Sequence, residues 1–289
     1  MNRIHIFNPV SGCGHSPALL DEGPAKNEER HITDSVGDAE RFAYMTCIKR
    51  PDTHFIVYGG DGTINEVANG ILRAGAGSES MISVVPAGTG NDFVRTFGEK
   101  NRIYTIDAIK YNERYAVNII NFGFDCDVVK KTDRYKKILP GSPAYLAGVA
   151  DAFFHKMGNE WSFEIYDADG NAEHIDGSFT LALVGNCRYY GGGFCSASLA
   201  DPGDGLLDFL AVRKISRAAF ISLIGAYKKG KHLDPETFAP YAKFQKHMLY
   251  RRVTRINIKG VSSICADGEI EEAETVNVSV IRNALRIAT

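Results

Sequence analysis

Residues 55–71, FIVYGGDGTINEVANGI, place an apolar run, a turn with one carboxylate among three glycines, and an amphipathic segment end to end. Phe55 to Tyr58 are apolar without alternation, as in a strand of a parallel sheet covered on both faces. From Thr63 to Arg73, the residues Ile64, Val67, Ala68, Ile71 and Leu72 recur at i, i+3, i+4, i+7 and i+8, one stripe of a helix. A strand that passes to a helix through glycines suits a phosphate: the backbone can approach closely, and the helix start offers unpaired N–H groups and the positive end of its dipole. No G-x-x-x-x-G-K-[ST] is present, so a P-loop NTPase is excluded.

Working outward, Arg3 to Phe7, His31 to Thr33 and Met81 to Val85 read as further short strands, and Gly37 to Lys49 as a helix. The stretch from Pro17 to Arg30, where a first crossover helix belongs, is interrupted by Gly23-Pro24 and predicts a short or irregular helix. This alternation is that of a doubly wound, Rossmann-like α/β sheet, whose ligands sit at the carboxyl ends of the strands. Three glycine-rich turns follow its strands: Asn8-Pro9-Val10-Ser11-Gly12, Gly59 to Thr63, and Pro86 to Asp92.

After Arg102 the pattern changes to hairpins. Strands are predicted at Tyr104 to Lys110, Tyr115 to Asn121, Trp161 to Tyr166, Phe179 to Val184, Leu207 to Val212, Arg255 to Ile258, Ile264 to Ala266 and Val276 to Ile281. Helices are expected at Pro143 to Phe154 and Ser216 to Lys228. The expectation is an α/β nucleotide domain over 1–102 and a β-sandwich-like substrate domain over 103–289, with the active site in the cleft between them and the last strand returning to the first domain.

The 289 residues carry 33 Lys+Arg against 35 Asp+Glu, so no overall field draws polyanions, and nucleic acid is not expected as a partner. Six scattered cysteines without a C-x-x-C pair suit reduced thiols, and the opening apolar run is too short for a signal peptide or membrane span. A cytoplasmic protein is expected, with transient contact at the inner membrane face through basic clusters such as Lys130-Lys131, Lys228-Lys229 and Arg251-Arg252. A homodimer is left open.

GGDGTINEVANG, PAGTGNDF and FNPVSG together resemble the diacylglycerol kinase catalytic-domain family, which includes bacterial lipid kinases and the sphingosine and ceramide kinases. The resemblance continues through Gly123-Phe124-Asp125, Tyr189 to Gly193, Asp204 to Asp208 and Ala266-Asp267-Gly268-Glu269. It implies an ATP- and Mg2+-dependent kinase acting on a lipid alcohol, with a diacylglycerol-like acceptor. ATP would be surrounded by Asn8, Pro9, Val10, Ser11, Gly12, Thr33, Gly60, Asp61, Gly62, Thr63, Ile64, Asn65, Glu66, Gly88, Thr89, Asn91 and Asp92. Glu269 matches the proton acceptor, with Asp267 and Asp61 beside it in the chemistry; Asp204, with backbone groups of Asp201 and Leu206, matches a structural magnesium site.

Read from the residues alone, Asp61 is a turn residue or a magnesium orienter, Asp267-Gly268 is a β-turn or a catalytic turn, and Asp201 to Leu206 is a polar loop or a hard-cation site. The acceptor pocket is expected near Phe122, Phe124, Tyr145, Phe153 and Phe154. Departures from the family's pattern are the interrupted first crossover, a short link from Phe97 to Ile106 without its usual helix, and Ser198 in place of a proline after Ala197. Two other readings compete: a soluble-metabolite kinase resembling NAD kinase, which also uses GGDG, and a non-catalytic nucleotide or lipid sensor.

Overall fold

A computed structural model describes residues 2–11, 28–87, 90–98, 101–136, 138, 142–154 and 158–289. Four parallel strands open the chain: β1 (Asn2–Phe7), β2 (Glu29–Ile32), β3 (Thr53–Gly59) and β4 (Met81–Pro86), in the order β4-β3-β1-β2. Helices α1 (Asp38–Lys49) and α2 (Asp61–Arg73) connect them. The apolar stripe of α2 is buried as its spacing requires, with Ile64, Val67, Ala68 and Ile71 in one core with Ile4, Phe55 and Ala43. Gly70 is where the helices touch: a Cβ there would lie 2.4 Å from the Glu40 carbonyl of α1. The Gly23-Pro24 crossover lies outside the described residues.

The remainder is largely antiparallel. It runs through β5 (Ile103–Tyr111), β6 (Arg114–Ala116), β7 (Ile119–Gly123), helices α3 (Phe124–Lys136) and α4 (Ser142–Phe154), β8 (Asn159–Tyr166), β9 (Ala172–Gly185) and β10 (Leu207–Arg213). It continues with helix α5 (Arg217–Lys228), the short pair β11 (Leu233–Asp234) and β12 (Ala239–Pro240), β13 (Met248–Val253), β14 (Arg255–Lys259), β15 (Ser263–Ala266), β16 (Glu269–Glu272) and β17 (Thr275–Ala288). Strand β9 is long enough to pair with β8 over its first half and with β10 and β7 over its second half. Phe122, Trp161, Phe163, Phe179 and Phe209 belong to one apolar core contributed by these strands.

Strand β17 joins the two halves. It pairs antiparallel with β14 and β5, shifts register between Ile281 and Leu285, and then runs parallel to β4 through Ile287 and Ala288. At the shift Asn283 has φ +52°, and its N–H donates to Asp107 Oδ1 at 2.7 Å. The sheet is therefore continuous from one half to the other. Helices α3, α4 and α5 lie over a second apolar cluster that includes Phe124, Val128, Phe220 and Leu223. The predicted strand from Tyr115 to Asn121 is two strands, β6 paired with β5 and β7 paired with β9, and helix α3, β13 and β16 carry no hydrophobic pattern that marks them.

Candidate active site

Two cavities meet at the start of α2. One, of about 230 Å3, is lined by Asn8, Pro9 and Val10 after β1, by Thr33 to Val36 after β2, and by Thr63 and Glu66 of α2. That is the carboxyl end of the parallel sheet, where its strand order reverses. Asn8 Nδ2 donates to Thr63 Oγ1 at 2.9 Å, and the Val10 N–H donates to Asn8 Oδ1 at 3.1 Å, so the opening turn is tied to the helix start. Thr33 is buried and bonded to the Phe7 carbonyl. Glu66 Oε1 and Oε2 accept the Gly37 and Ala39 N–H groups at 3.0 and 3.1 Å, which satisfies the exposed donors at the start of α1.

The other cavity, of about 190 Å3, lies between the two halves. Its polar end holds Asp61, Asp92, Asn118, Asn121, Asp267 and Gly268; its apolar end holds Phe124, Val128, Val149, Phe194, Phe220 and Ile224, with Asp125 and Tyr190 also in the wall. The first turn of α2 is thus the partition, with Asp61 on one side and Thr63 and Glu66 on the other.

Asp61 accepts the N–H groups of Asp92 and Phe93, both at 3.1 Å, and so fixes the third glycine-rich turn. Asp92 in turn accepts the Gly192 N–H at 2.7 Å, which ties that turn to the triple glycine of the second half. Burial pushes the Asp92 carboxyl above its ordinary value, and the Asp61 charge adds to this. Its Oδ1 is buried without a hydrogen-bond partner but has Arg95 Nη1 3.6 Å away as an ion-pair partner, and a Cβ on Gly90 would lie 3.0 Å from Asp61 Oδ2. Two neighbouring carboxylates, one of them with an oxygen free of hydrogen bonds, supply oxygen ligands of the kind a magnesium ion takes, with Arg95 as the competing cation. The amide oxygens of Asn118 and Asn121 are likewise buried and unpartnered in the wall.

Asp267 and Gly268, with φ +47° and +97°, make the two-residue hairpin between β15 and β16 that Asp-Gly favours. Asp267 Oδ1 accepts Asn118 N (3.0 Å) and Ile119 N (2.9 Å); Oδ2 accepts Val117 N and Asn65 Nδ2, both at 2.7 Å. All four lone-pair positions are taken, so the sequence-based placement of Asp267 among the reacting groups is corrected to an anchoring one. Glu269 follows at the start of β16, about one-third exposed, with Arg114 Nη2 at 3.5 Å from its Oε2. Arg114 also holds Glu271 at 2.7 Å, and Tyr111 donates to Glu271 at 3.0 Å. Burial raises the Glu269 carboxyl, Arg114 opposes this, and the charges of Glu66, Glu271 and Glu40 add to it.

Other expectations need correction. Ile64 is buried in the first core, and Asn65 faces Asp267 and the Tyr115 carbonyl, so neither reaches the first cavity. Phe122 belongs to the sandwich core, and Phe154 is 74% exposed; of the predicted acceptor aromatics, Phe124 lines the second cavity and Phe153 packs beside Phe220. Gly12, Gly88 and Thr89 lie outside the described residues, as does the Tyr145 side chain. Gly60 precedes α2 in extended conformation, Gly62 is exposed, and Asn91 has φ +53° in the turn before Asp92. Asp125 and Tyr190 carried no sequence-derived role; Tyr190 OH donates to Asp125 Oδ2 at 2.7 Å, and burial pushes the Asp125 carboxyl up to about 7.

The loop from Asp201 to Leu206 does not fit a metal. Asp204 is ion-paired with Arg252 of β13, and its Oδ1 accepts the Leu206 N–H at 2.9 Å. The Asp201 carbonyl accepts Asp204 N, that of Pro202 accepts Asp107 N, and that of Gly205 accepts Arg282 Nε. The Arg252 guanidinium stands on the one carboxylate the dication would need and Arg282 on the neighbouring Gly205 carbonyl, so the expected site at Asp201, Asp204 and Leu206 is corrected. Other basic clusters are also partly neutralised: Arg251 pairs with Glu173 and Lys131 with Asp151.

Comparison with known proteins agrees with this architecture. A family model described as "Diacylglycerol kinase catalytic domain" matches residues 3–121, and one described as "YegS C-terminal NAD kinase beta sandwich-like domain" matches 118–289. The chain belongs to the family that joins a diacylglycerol kinase catalytic domain to this YegS C-terminal domain. Among its relatives, a protein named "Diacylglycerol kinase" from Bacillus subtilis is 26% identical, over 91% of this chain and 88% of its own. Another of that name from Mycobacterium tuberculosis is 26% identical, over 98% and 93%. The crystal structure of a diacylglycerol kinase from Bacillus anthracis superposes with a TM-score of 0.71 at 18% identity, covering 99% of this chain and 96% of that one, and so shares the fold.

Proposed function

We propose that the protein is an ATP- and Mg2+-dependent lipid kinase that transfers the γ-phosphate to the hydroxyl of a lipid alcohol, with a diacylglycerol-like acceptor. The observation that carries this reading is the second cavity, which joins a carboxylate-lined end to an apolar chamber across α2 from the polar cavity of Asn8, Thr33, Thr63 and Glu66. A phosphate donor with a water-soluble acceptor would have no use for that chamber. Asn8 to Ser11, Thr33, Gly60, Gly62 and Thr63 would hold the nucleotide, together with Gly12, Gly88 and Thr89 by family resemblance, with its terminal phosphate at the α2 N-terminus. Asp61 and Asp92 would hold the magnesium ion, which supplies charge neutralisation to the phosphates.

Phosphoryl transfer asks the protein mainly for position and for a proton acceptor. Glu269 takes the proton of the acceptor hydroxyl as that oxygen bonds to the γ-phosphorus, and the bond from phosphorus to the β,γ-bridging oxygen breaks to release ADP. The orphan amide oxygens of Asn118 and Asn121 offer acceptors to a hydroxyl in the wall of the second cavity. Family resemblance, the relatives' names and the place of Glu269 directly after the cavity-lining turn Asp267-Gly268 support this assignment. The test is transfer of labelled γ-phosphate into the organic phase of a lipid extract with magnesium. Glu269→Gln is expected to lower kcat about 10²- to 10⁴-fold with ATP binding retained; an unchanged rate refutes Glu269 as base, and no organic-phase product from ATP-binding wild type refutes the lipid acceptor.

A further inference from the structure

We propose that the exposed face of α5, continued by Phe154, docks the protein on an anionic lipid bilayer. From Lys214 to Lys231 the chain reads KISRAAFISLIGAYKKGK: five cations, Lys214, Arg217, Lys228, Lys229 and Lys231, and no acid. Within α5 the exposed positions are Arg217, Ala218, Ile221, Ser222, Gly225 and Lys228, spaced as one face of a helix. That face has small or apolar side chains along its middle and cations at its ends. Ile221 is 60% exposed.

The patch does not stop with the helix. Arg217 donates to the Phe153 and Phe154 carbonyls at 2.9 and 3.2 Å, so the end of α4 is fixed beside the start of α5. Phe154 thereby stands next to the α5 face, 74% exposed. Large apolar side chains rimmed by cations are what the interface of an anionic bilayer accommodates: the apolar groups enter the acyl boundary and the cations meet the headgroups; the acid nearest Phe154 along α4, Asp151, is paired with Lys131. The opposite side of α5 supplies Phe220 and Ile224 to the second cavity. One helix therefore has its outer face suited to the bilayer and its inner face on the chamber assigned to the acceptor. The purpose of docking rests on the lipid-acceptor reading; the docking itself does not.

The test separates them. Nucleotide-free protein is sedimented with vesicles of phosphatidylcholine alone and with phosphatidylglycerol mixed in, with heparin-coated beads as an anionic surface lacking an apolar phase. Wild type is expected to partition to the anionic vesicles at least tenfold better than to the neutral ones, and less in high salt. Ile221→Glu is expected to lose tenfold or more of that binding, and the pair Lys228→Glu, Lys229→Glu a similar amount, each with an unchanged melting curve. Both variants keep wild-type activity on a short-chain acceptor dissolved as monomers and lose it on acceptor presented in vesicles. Vesicle binding that is absent, or that Ile221→Glu leaves unchanged, overturns the proposal, as does heparin binding equal to vesicle binding and indifferent to Ile221→Glu. Loss of all kinase activity in wild type with vesicle binding intact counts against the lipid kinase reading alone.

Discussion

The hairpin turn at Asp267-Gly268 and the loop from Asp201 to Leu206 are both short, acidic and glycine-bearing, and both abut strands of the second half, yet they handle negative charge in opposite ways. Asp267 is partly buried and satisfied by three backbone N–H groups and one amide from the other half of the molecule. Its carboxylate holds β15, the β6–β7 connection and α2 together, while Glu269, two residues on, lines neither cavity and faces Arg114. Asp204 is neutralised by a fixed guanidinium, and the loop around it is closed by Asp107 and Arg282. An acidic turn in this fold is thus either an anchor that presents a neighbouring carboxylate or a joint closed from within. The fate of each is set by what the chain places opposite it.

The sharpest way to break this comparison is Asp267→Ala. Four donors lose their acceptor, and at about 1–3 kcal/mol for each buried unsatisfied group the expected loss is about 4 kcal/mol or more in urea unfolding. A loss under about 1 kcal/mol would mean that the two halves are held together elsewhere. Next in size is Arg252→Met. With Asp204 and Arg252 23% and 30% exposed, the pair lies between surface and buried limits, and a cost of about 1–3 kcal/mol is expected. Nucleotide-free wild type should melt at the same temperature in magnesium and in chelator, whereas Arg252→Met should gain a melting rise with magnesium. A chelator-induced drop in wild type that disappears in Asp204→Asn would restore a metal to the loop.

What the sequence disclosed follows the same division. The strand, glycine turn and helix around residue 61 and the Asp267-Gly268 hairpin were legible because their signals are local: apolar runs, φ-permissive residues, a helical stripe. Helix α3 was not, because it is amphipathic against α4 and the sandwich while its lysines read as surface charge. Strand β17 was recognised only over Val276 to Ile281, since the bulge at Asn283 breaks its alternation before it joins β4. Ile64 and Asn65 were assigned to the nucleotide by their place in a motif; at about 100° per residue, only Thr63 and Glu66 of that turn share the cavity-facing side. The partners of Asp204, Asp125 and Glu269 come from 48, 65 and 155 residues away, and no local pattern encodes them.

The smallest expected effect probes Glu269 directly. Arg114 is the cation facing its carboxylate from β6, against the like charges of Glu66 on α2, Glu40 on α1 and Glu271 on its own strand. A proton acceptor works only when ionised, so activity falls as the pH drops through its pKa. Arg114 favours the ionised form; with Arg114→Gln that support is lost, the pKa rises, and the acid limb of the kcat/KM profile moves to higher pH. Because both groups are more than one-third exposed, solvent screens the pair, and the displacement of the limb is expected to be small and to shrink further in high salt. Glu271→Gln should move the limb the other way, since it removes a like charge, unless Glu271 acts chiefly by holding Arg114 in place. In that case the two variants shift the limb in the same direction, and Arg114 belongs with the anchored carboxylate network of Tyr111 and Glu271 rather than with Glu269 alone.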